Sequence, residues 1–181
     1  MIDSAWRPAF IIMDLLKGIK DPHFTTELAK FNMEINLDPH EFTGHCLSDV
    51  RTQLIYLLQL AENALEGTGN KLILTGILPT IRSTDLGEDT MNPLKRYTAL
   101  NNIIKEVRDG EFQFRISGKD DFINRHNSVV YESCNTSFQI HFQLDPDKFA
   151  ESYNWAMAVT APLMAIATNS PMFLGKRLWH E

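Results

Sequence analysis

Cysteine, basic charge and long apolar runs are all scarce in this chain, and each scarcity excludes a class of protein. The 181 residues include two cysteines, Cys46 and Cys134, too few for a disulfide framework. There are 17 basic residues against 23 acidic ones, and a net charge of −6 argues against nucleic-acid binding. The apolar run 9–13 is too short to cross a bilayer. These features predict a reduced, cytoplasmic protein without nucleic-acid or membrane partners.

Several catalytic signatures are also missing. The chain has no Walker loop, no dinucleotide-binding glycine pattern, no paired Cys-x-x-Cys and no His-Glu-x-x-His. Nothing in it resembles a nucleophile elbow. What remains is an ordinary globular composition, 44% hydrophobic and 22% charged, in a chain of the length of one domain. We therefore expect residues 1–181 to form a single domain.

The most regular pattern lies between Ser133 and Leu144. From Asn135 on, every odd position is polar, and from Phe138 on every even position is apolar. A period of two predicts a half-buried strand whose polar face lines a ligand cleft or faces water. Residues 31–37 alternate in the same way and predict a second such strand, with Glu34 on its polar face.

Helical and extended patterns are interspersed along the rest of the chain. Apolar spacing predicts helices over 47–65, from Asn92-Pro93 to Asp109-Gly110, and from Asp145-Pro146 to about Thr168, with a short helix or arm within 5–18. Residues 71–78 and 112–116 are predicted as strands, and 118–127 as a polar loop. This mixture predicts an α+β fold with a largely antiparallel sheet covered by helices.

Three polar residues on the predicted strands are candidate ligands. Glu34 offers a carboxylate suited to magnesium, although an acid on a sheet surface looks the same in sequence. Gln139 and His141 share one strand face and could bind one ligand together, or they could be ordinary surface residues.

Two arginines are candidate anion binders, because guanidinium pairs bidentately with carboxylate and phosphate. Arg82 lies in an acid-rich loop, where a surface ion pair is the alternative. Arg96 precedes the inward-facing Tyr97 and could equally be a solvated helix residue.

Four motifs, taken in order and spacing, carry a family resemblance. They are Gly76-Ile77-Leu78-Pro79-Thr80-Ile81-Arg82, Asn92-Pro93 with Arg96-Tyr97, Ser137-Phe138-Gln139-Ile140-His141-Phe142, and Ala167-Thr168-Asn169-Ser170-Pro171 with Gly175-Lys176-Arg177. Together they resemble bacterial glutamate–cysteine ligase-like proteins, which are similar to the plant-type enzymes and belong to the wider carboxylate–amine ligases. The resemblance runs from about Glu27 to the last residue.

The resemblance implies a glutamine-synthetase-like catalytic fold, ATP and Mg²⁺ as cofactors, and glutamate plus an amine such as cysteine as substrates. The reaction it implies is amide formation through an acyl phosphate, in glutathione biosynthesis. By motif, Glu34 resembles a metal-ligand glutamate and Gln139 resembles a ligating residue of the family's sheet. Arg96 resembles an arginine near substrate carboxylate, and Arg82 is a looser match. His141 occupies a place usually held by asparagine.

Two expected family features have no counterpart here. The family's sheet begins with a strand that carries a Glu-x-Glu pair, and its members continue into an arginine-bearing helix beyond the segment matched by Leu178. The resemblance therefore predicts a partial catalytic domain that is inactive when isolated. The alternatives are a non-catalytic member that keeps the fold, and an interaction fragment that forms homo-oligomers through open sheet edges.

Overall fold

The computed structural model describes residues 1–108 and 111–178. Within them lie the helices α1 (Ile12–Ile19), α2 (Cys46–Leu65), α3 (Lys95–Arg108) and α4 (Phe149–Ala167). Short 3₁₀ turns occupy Ser83–Asp85, Glu88–Thr90, Val129–Cys134 and Pro146–Lys148. The strands are β1 (Phe24–Thr26), β2 (Met33–Ile35), β3 (Phe112–Ser117), β4 (Asp121–His126), β5 (Met172–Phe173) and β6 (Lys176–Arg177).

The strands form three separate antiparallel pairs, β1 with β2, β3 with β4, and β5 with β6. This confirms the α+β class with antiparallel pairing. The predicted helices over 47–65 and after Asp145-Pro146, the short helix within 5–18 and the strand over 112–116 are also confirmed. The predicted helix stop at Asp109-Gly110 lies outside the described residues. None of the described helices is both long and apolar enough to cross a bilayer.

The N-terminal half packs around the apolar face of α2. Its buried residues Leu57, Ala61 and Leu65 recur every four positions, so they fall on one side of the helix. Leu57 and Ala61 form a cluster with Phe24 of β1, and Leu65 packs with Ile12 of α1. These contacts fix α2 against both α1 and the β1–β2 hairpin.

A second core lies behind the loop that follows residue 78 and joins segments from both halves of the chain. Ile81, Val130 and Phe173 are buried there together with Phe31 and Phe122. The members come from five separate segments, so this cluster holds together regions far apart in sequence. Apolar burial of this kind contributes most of the favourable free energy of folding.

The predicted polar loop over 118–127 is wrong, because β4 occupies most of it. β4 pairs along its whole length with β3, from Ser117 opposite Asp121 to Phe112 opposite His126. Phe122 points into the core, whereas Ile123 is 63% exposed. The two apolar residues of β4 are adjacent, so one faces the core and the other faces solvent. The strand therefore lacks the apolar–polar alternation that would have predicted it.

Three more predictions need correction. Residues 71–78 form isolated bridges at Lys71 and Ile77 instead of a strand. The helix expected to start at Pro93 starts at Lys95. The strand expected over 133–144 is absent, because 129–134 form a 3₁₀ turn and 136–145 have no regular structure. A strand needs a hydrogen-bonded neighbour, and within the described residues this segment has only the bridge between Ile77 and Asn135.

Candidate functional site

A cleft of about 510 Å³ opens between the loop over 79–84 and the turn that joins β5 to β6. The cleft is wide open to solvent, and most of its lining residues are exposed. The lining residues are Pro79, Thr80, Ile81, Arg82, Ser83, Thr84, Leu174 and Gly175. Its lining therefore combines three hydroxyl side chains and one guanidinium with the apolar residues Pro79, Ile81 and Leu174.

An ion pair from outside the loop holds this wall in place. Arg7 donates through Nη2 to both carboxylate oxygens of Asp85, at 2.5 and 2.6 Å. Its Nη1 donates to the carbonyl of Thr80 at 3.2 Å. The backbone N–H of Arg82 donates to Asp85 Oδ2 at 2.8 Å. Since Arg7 and Asp85 are only 20% and 13% exposed, this is a well-shielded bidentate pair.

The opposite wall is a tight turn whose position depends on a second ion pair. Leu174 and Gly175 both have positive φ, 47° and 78°, the left-handed conformations that a type I′ hairpin turn requires. Arg177 donates to Asp120 from its backbone N, from Nε and from Nη2, at 2.9, 3.0 and 2.8 Å. These bonds hold the pKa of Asp120 far below its usual range. They tie the turn to the β3–β4 hairpin and engage the Arg177 guanidinium.

Arg82 is the cationic group that the cleft leaves available. Ile81 is 2% exposed and anchors the loop in the core, so its neighbours Thr80 and Arg82 face outward. Among the described residues, none accepts a hydrogen bond from the Arg82 guanidinium or pairs with its charge. An unneutralised guanidinium beside hydroxyl donors is an arrangement that binds a carboxylate or a phosphate.

Arg96 lies in the first turn of α3 and is held against β1. Its Nη2 donates to the carbonyl and hydroxyl oxygens of Thr26, at 3.2 and 3.0 Å, and to the hydroxyl of Tyr97 at 2.7 Å. The Tyr97 ring lies 4.6 Å beneath the guanidinium carbon, and its hydroxyl donates to the Thr26 carbonyl. Nη1 and Nε find no acceptor in the described part of the chain. Arg96 is thus oriented by one nitrogen, with its other donors open to a ligand.

Glu34 lies on the neighbouring strand but on the other face of the hairpin. It pairs with Thr25, whereas Thr26 pairs with Met33, and side chains alternate between the faces. Glu34 is partly buried, and no residue that the structure describes donates a hydrogen bond to its carboxylate. The hairpin therefore brings Arg96 and Glu34 near the same strand while it separates their faces.

Gln139 and His141 are both exposed in the irregular segment that follows residue 135. That segment starts close to β2, because Asn32 Nδ2 donates to the Ser133 carbonyl at 2.6 Å. No hydrogen bond joins Gln139 to Glu34 within the described ranges, and their convergence on one ligand stays a prediction. Over residues 1–108 and 111–178, no three His, Cys, Asp or Glu side chains are grouped as metal ligands.

Thiol chemistry has little support at Cys134. The side chain is buried in the second core, with Ile81 and Val130, and this burial raises its pKa to about 12. The nucleophilic form of cysteine is the thiolate, which such a pKa suppresses at neutral pH.

Sequence reasoning missed most of the cleft. It found Arg82 but not the hydroxyls of Thr80, Ser83 and Thr84, which stand beside it in the chain. The density of hydroxyl residues around one arginine was an available signal. The pairing of Arg7 with Asp85 had none, because 78 residues separate them.

The chain was compared with known proteins. The family model described as glutamate-cysteine ligase family 2 (GCS2) matches residues 5–181. No curated protein and no solved structure matches significantly. The matched range includes the cleft and all five residues that sequence reasoning put forward as ligands.

Proposed function

The chain belongs to glutamate-cysteine ligase family 2, a family of ligases. On that premise we propose that it is part of the catalytic domain of an ATP-dependent carboxylate–amine ligase. The proposed product is a γ-glutamyl amide, with cysteine as the amine. The family match over 5–181 is the observation that carries the proposal. The free guanidinium in the cleft supports it, because the substrates are anions.

The proposed reaction has two steps. An oxygen of the glutamate γ-carboxylate attacks the terminal phosphorus of ATP, which breaks the bond to ADP and forms an acyl phosphate. The amine nitrogen then attacks the acyl carbon, phosphate leaves with the bonding electrons, and the nitrogen loses a proton. Both steps concentrate negative charge, so the protein mainly has to position and neutralise anions.

In this proposal Arg82 binds a substrate carboxylate or phosphoryl group in the cleft, assisted by Ser83 and Thr84. These two hydroxyls can donate hydrogen bonds to the same anion, whereas the Thr80 hydroxyl already donates to the Trp6 carbonyl. Arg96 contacts a second anionic group with its open donors, and its contacts to Thr26 and Tyr97 orient it beforehand. A held guanidinium loses little side-chain entropy when the ligand arrives.

Magnesium fits this chain only as a complex with the nucleotide. Mg²⁺ is commonly held by one or two carboxylates plus substrate phosphates, which agrees with one open carboxylate at Glu34 and no three-acid cluster in the described ranges. We propose Glu34 and Gln139 as its protein ligands, with His141 beside the nucleotide. When bound, the ion would neutralise phosphate charge.

A non-catalytic member of the family is the second candidate. It is favoured by the exposure of Gln139 and His141, which lie on a segment without a strand partner among the described residues. A protein of this kind would keep the cleft but lack a closed active site.

A binding measurement tests the role of Arg82. We expect calorimetry to detect binding of L-glutamate in the presence of Mg²⁺ and a non-hydrolysable ATP analogue. Arg82→Gln should weaken that binding by about 10- to 100-fold, since charge-assisted hydrogen bonds contribute about 1.5–3 kcal/mol. Arg51→Gln is the matched control, because Arg51 is an exposed arginine of α2 far along the chain from the cleft.

The outcomes separate the candidates. No glutamate binding by the unmodified chain, or equal weakening by both variants, would contradict the proposal. The isolated chain is expected to bind without releasing phosphate from ATP, glutamate and cysteine. Phosphate release that requires glutamate and the amine would show instead that all catalytic groups are present, and mass analysis of the product would then identify the amine.

A further inference from the structure

His23 lies between two carboxylates that belong to different parts of the fold. Its Nδ1 contacts Asp21 Oδ1 at 2.7 Å, in the turn that precedes β1, and its Nε2 contacts Asp38 Oδ1 at 3.3 Å, in the loop that follows β2. Gln53 of α2 completes the cluster. Its Nε2 donates to Asp38 Oδ2 at 2.5 Å, and its Oε1 accepts from the Asp38 backbone at 3.1 Å. The ring therefore connects the start of the β1–β2 hairpin with a loop that is held by α2.

The protonation state of the ring decides whether both contacts are hydrogen bonds. A carboxylate only accepts, so each contact needs an N–H from the ring, and the imidazolium has two of them whereas the neutral ring has one. The arrangement in the structure is thus that of protonated His23. On deprotonation Asp38 is the carboxylate that loses its donor, because its contact is the longer one and Asp21 also accepts from the His23 backbone at 2.9 Å.

The deprotonated Nε2 has another partner in Gln53. The amide nitrogen of Gln53 lies 3.4 Å from Nε2 of His23 and carries two N–H groups. One of them can donate to the neutral ring while the other stays on Asp38. The two protonation states therefore favour two different hydrogen-bond arrangements of the same side chains.

The two carboxylates are also the charges that act on the ring. Their hydrogen bonds, first that of Asp21 and then that of Asp38, raise the pKa of His23 above its ordinary value, against a smaller opposite effect of desolvation. Neither helix beside the ring adds a charge, since Asp14 and Lys17 of α1 pair with each other and α2 contributes a neutral amide. The folded chain thus favours the protonated ring, and this stabilisation is lost as the pH rises through the raised pKa.

The loop that begins at Asp38 reaches a distant part of the chain. Residues 38–45 are all exposed, and the Phe42 ring packs edge-on against Phe142, with the ring centroids 5.7 Å apart. Apart from the contacts of Asp38, the hydrogen bonds that the structure shows for this loop run within it or to the start of α2. The contact with His23 is therefore one of few ties that fix the loop.

We propose that His23 is a pH-dependent tie that holds the loop over 38–45 when its ring is doubly protonated and releases it when the ring is neutral. With two protons the ring joins Asp21 to Asp38. After loss of the Nε2 proton, Gln53 donates to the ring, the bond from His23 to Asp38 is broken, and the loop gains freedom. The proposal does not depend on the proposed ligase function.

Hydrogen–deuterium exchange of the full chain tests the tie, with each rate corrected for the pH dependence of intrinsic exchange. The Asp38 amide is the reporter, because it donates to Gln53. We expect its protection to fall by about three- to five-fold between about pH 6 and pH 8.5, the size expected for one partly exposed ion pair. His23→Gln has no proton to lose in this range, so its protection should be low and independent of pH.

Two further variants separate the tie from a merely structural role. His40→Gln is the matched control and should keep the full pH dependence, since His40 is an exposed histidine of the same loop that pairs with no described carboxylate. Asp38→Asn can still accept from Gln53 but removes the charge. The pH dependence should then disappear, and the pKa of His23 measured by NMR should fall.

A structural role alone would lower protection equally at every pH. The proposal would be overturned by protection in the unmodified chain that does not change with pH, or by protection in His23→Gln that still falls with pH. Loss of the pH dependence in His40→Gln, or a pKa of His23 that Asp38→Asn leaves unchanged, would overturn it as well.

Discussion

Replacing Asp85 by alanine should lower the free energy of unfolding by about 2–4 kcal/mol, because it removes one partner of a shielded ion pair and leaves the other uncompensated. Arg7 would lose both of its short bonds to the carboxylate, and the backbone N–H of Arg82 would lose its acceptor. The effect should appear as a lower denaturant midpoint with an unchanged slope, since the unfolded chain is the same size.

The control for Asp85→Ala is a second ion pair that is fully in solvent. Asp14 and Lys17 lie one helical turn apart on α1 and are 85% and 74% exposed. Exposed pairs contribute about 0–1 kcal/mol, so Asp14→Ala should change stability very little. Equal losses in the two variants would mean that the Arg7 contact does not hold the loop.

The same substitution should weaken glutamate binding at the cleft. Asp85 does not line the cleft, but it positions the loop that carries Arg82 and the three hydroxyls. A binding loss in Asp85→Ala, measured well below its unfolding midpoint, would identify Asp85 as a positioning residue. Binding as tight as in the unmodified chain would show that the loop keeps its shape without the ion pair.

Local patterns predicted the helices well and the extended segments poorly. α2 carries its own signal, since an apolar stripe at helical spacing and internal hydrogen bonds are sufficient to define it. A strand instead depends on a partner that the pattern does not specify. Residues 136–144 have the cleanest alternation in the chain yet no ladder, because beyond Thr136 no described segment exchanges backbone hydrogen bonds with them.

The reverse error at β4 has a related cause. Its pairing with β3 comes from a tight connection that follows β3 directly, and its two apolar residues, Phe122 and Ile123, are adjacent and so give no alternating signal. For the candidate site, the chemical type of Arg82 and Arg96 could be recognised from sequence. The contacts that position them could not be recognised. The loop of Arg82 is held through Asp85 by Arg7, which lies 78 residues from Asp85, and Arg96 is held by Thr26, which lies 70 residues away.

Asn92 shows the same limit, and it leads to the second large prediction. The sequence Asn92-Pro93 predicted the start of a helix, but the structure starts the helix at Lys95 and buries Asn92 completely, at 0% exposed. Its Nδ2 donates to the carbonyls of Glu27 and Ala29, and its backbone N donates to that of Leu28 at 2.8 Å. These bonds join the end of β1 to the segment that leads into α3.

Asn92→Ala should therefore destabilise the fold by about 2–4 kcal/mol, because the carbonyls of Glu27 and Ala29 lose their donor and a small cavity is left. Asn92→Asp should cost more, since it keeps the size but places carboxylate oxygens against carbonyl oxygens. Asn102→Ala, an exposed position on α3, should change stability by no more than about 0.5 kcal/mol. Denaturant unfolding of the three variants measures the order of their stability losses. If Asn92→Ala proved as stable as Asn102→Ala, the prediction would be contradicted.

Because Asn92 fixes the start of α3 against β1, its loss should also loosen the contact of Arg96 with Thr26. The stability of this junction is thereby linked to the orientation of Arg96, a proposed substrate-binding residue.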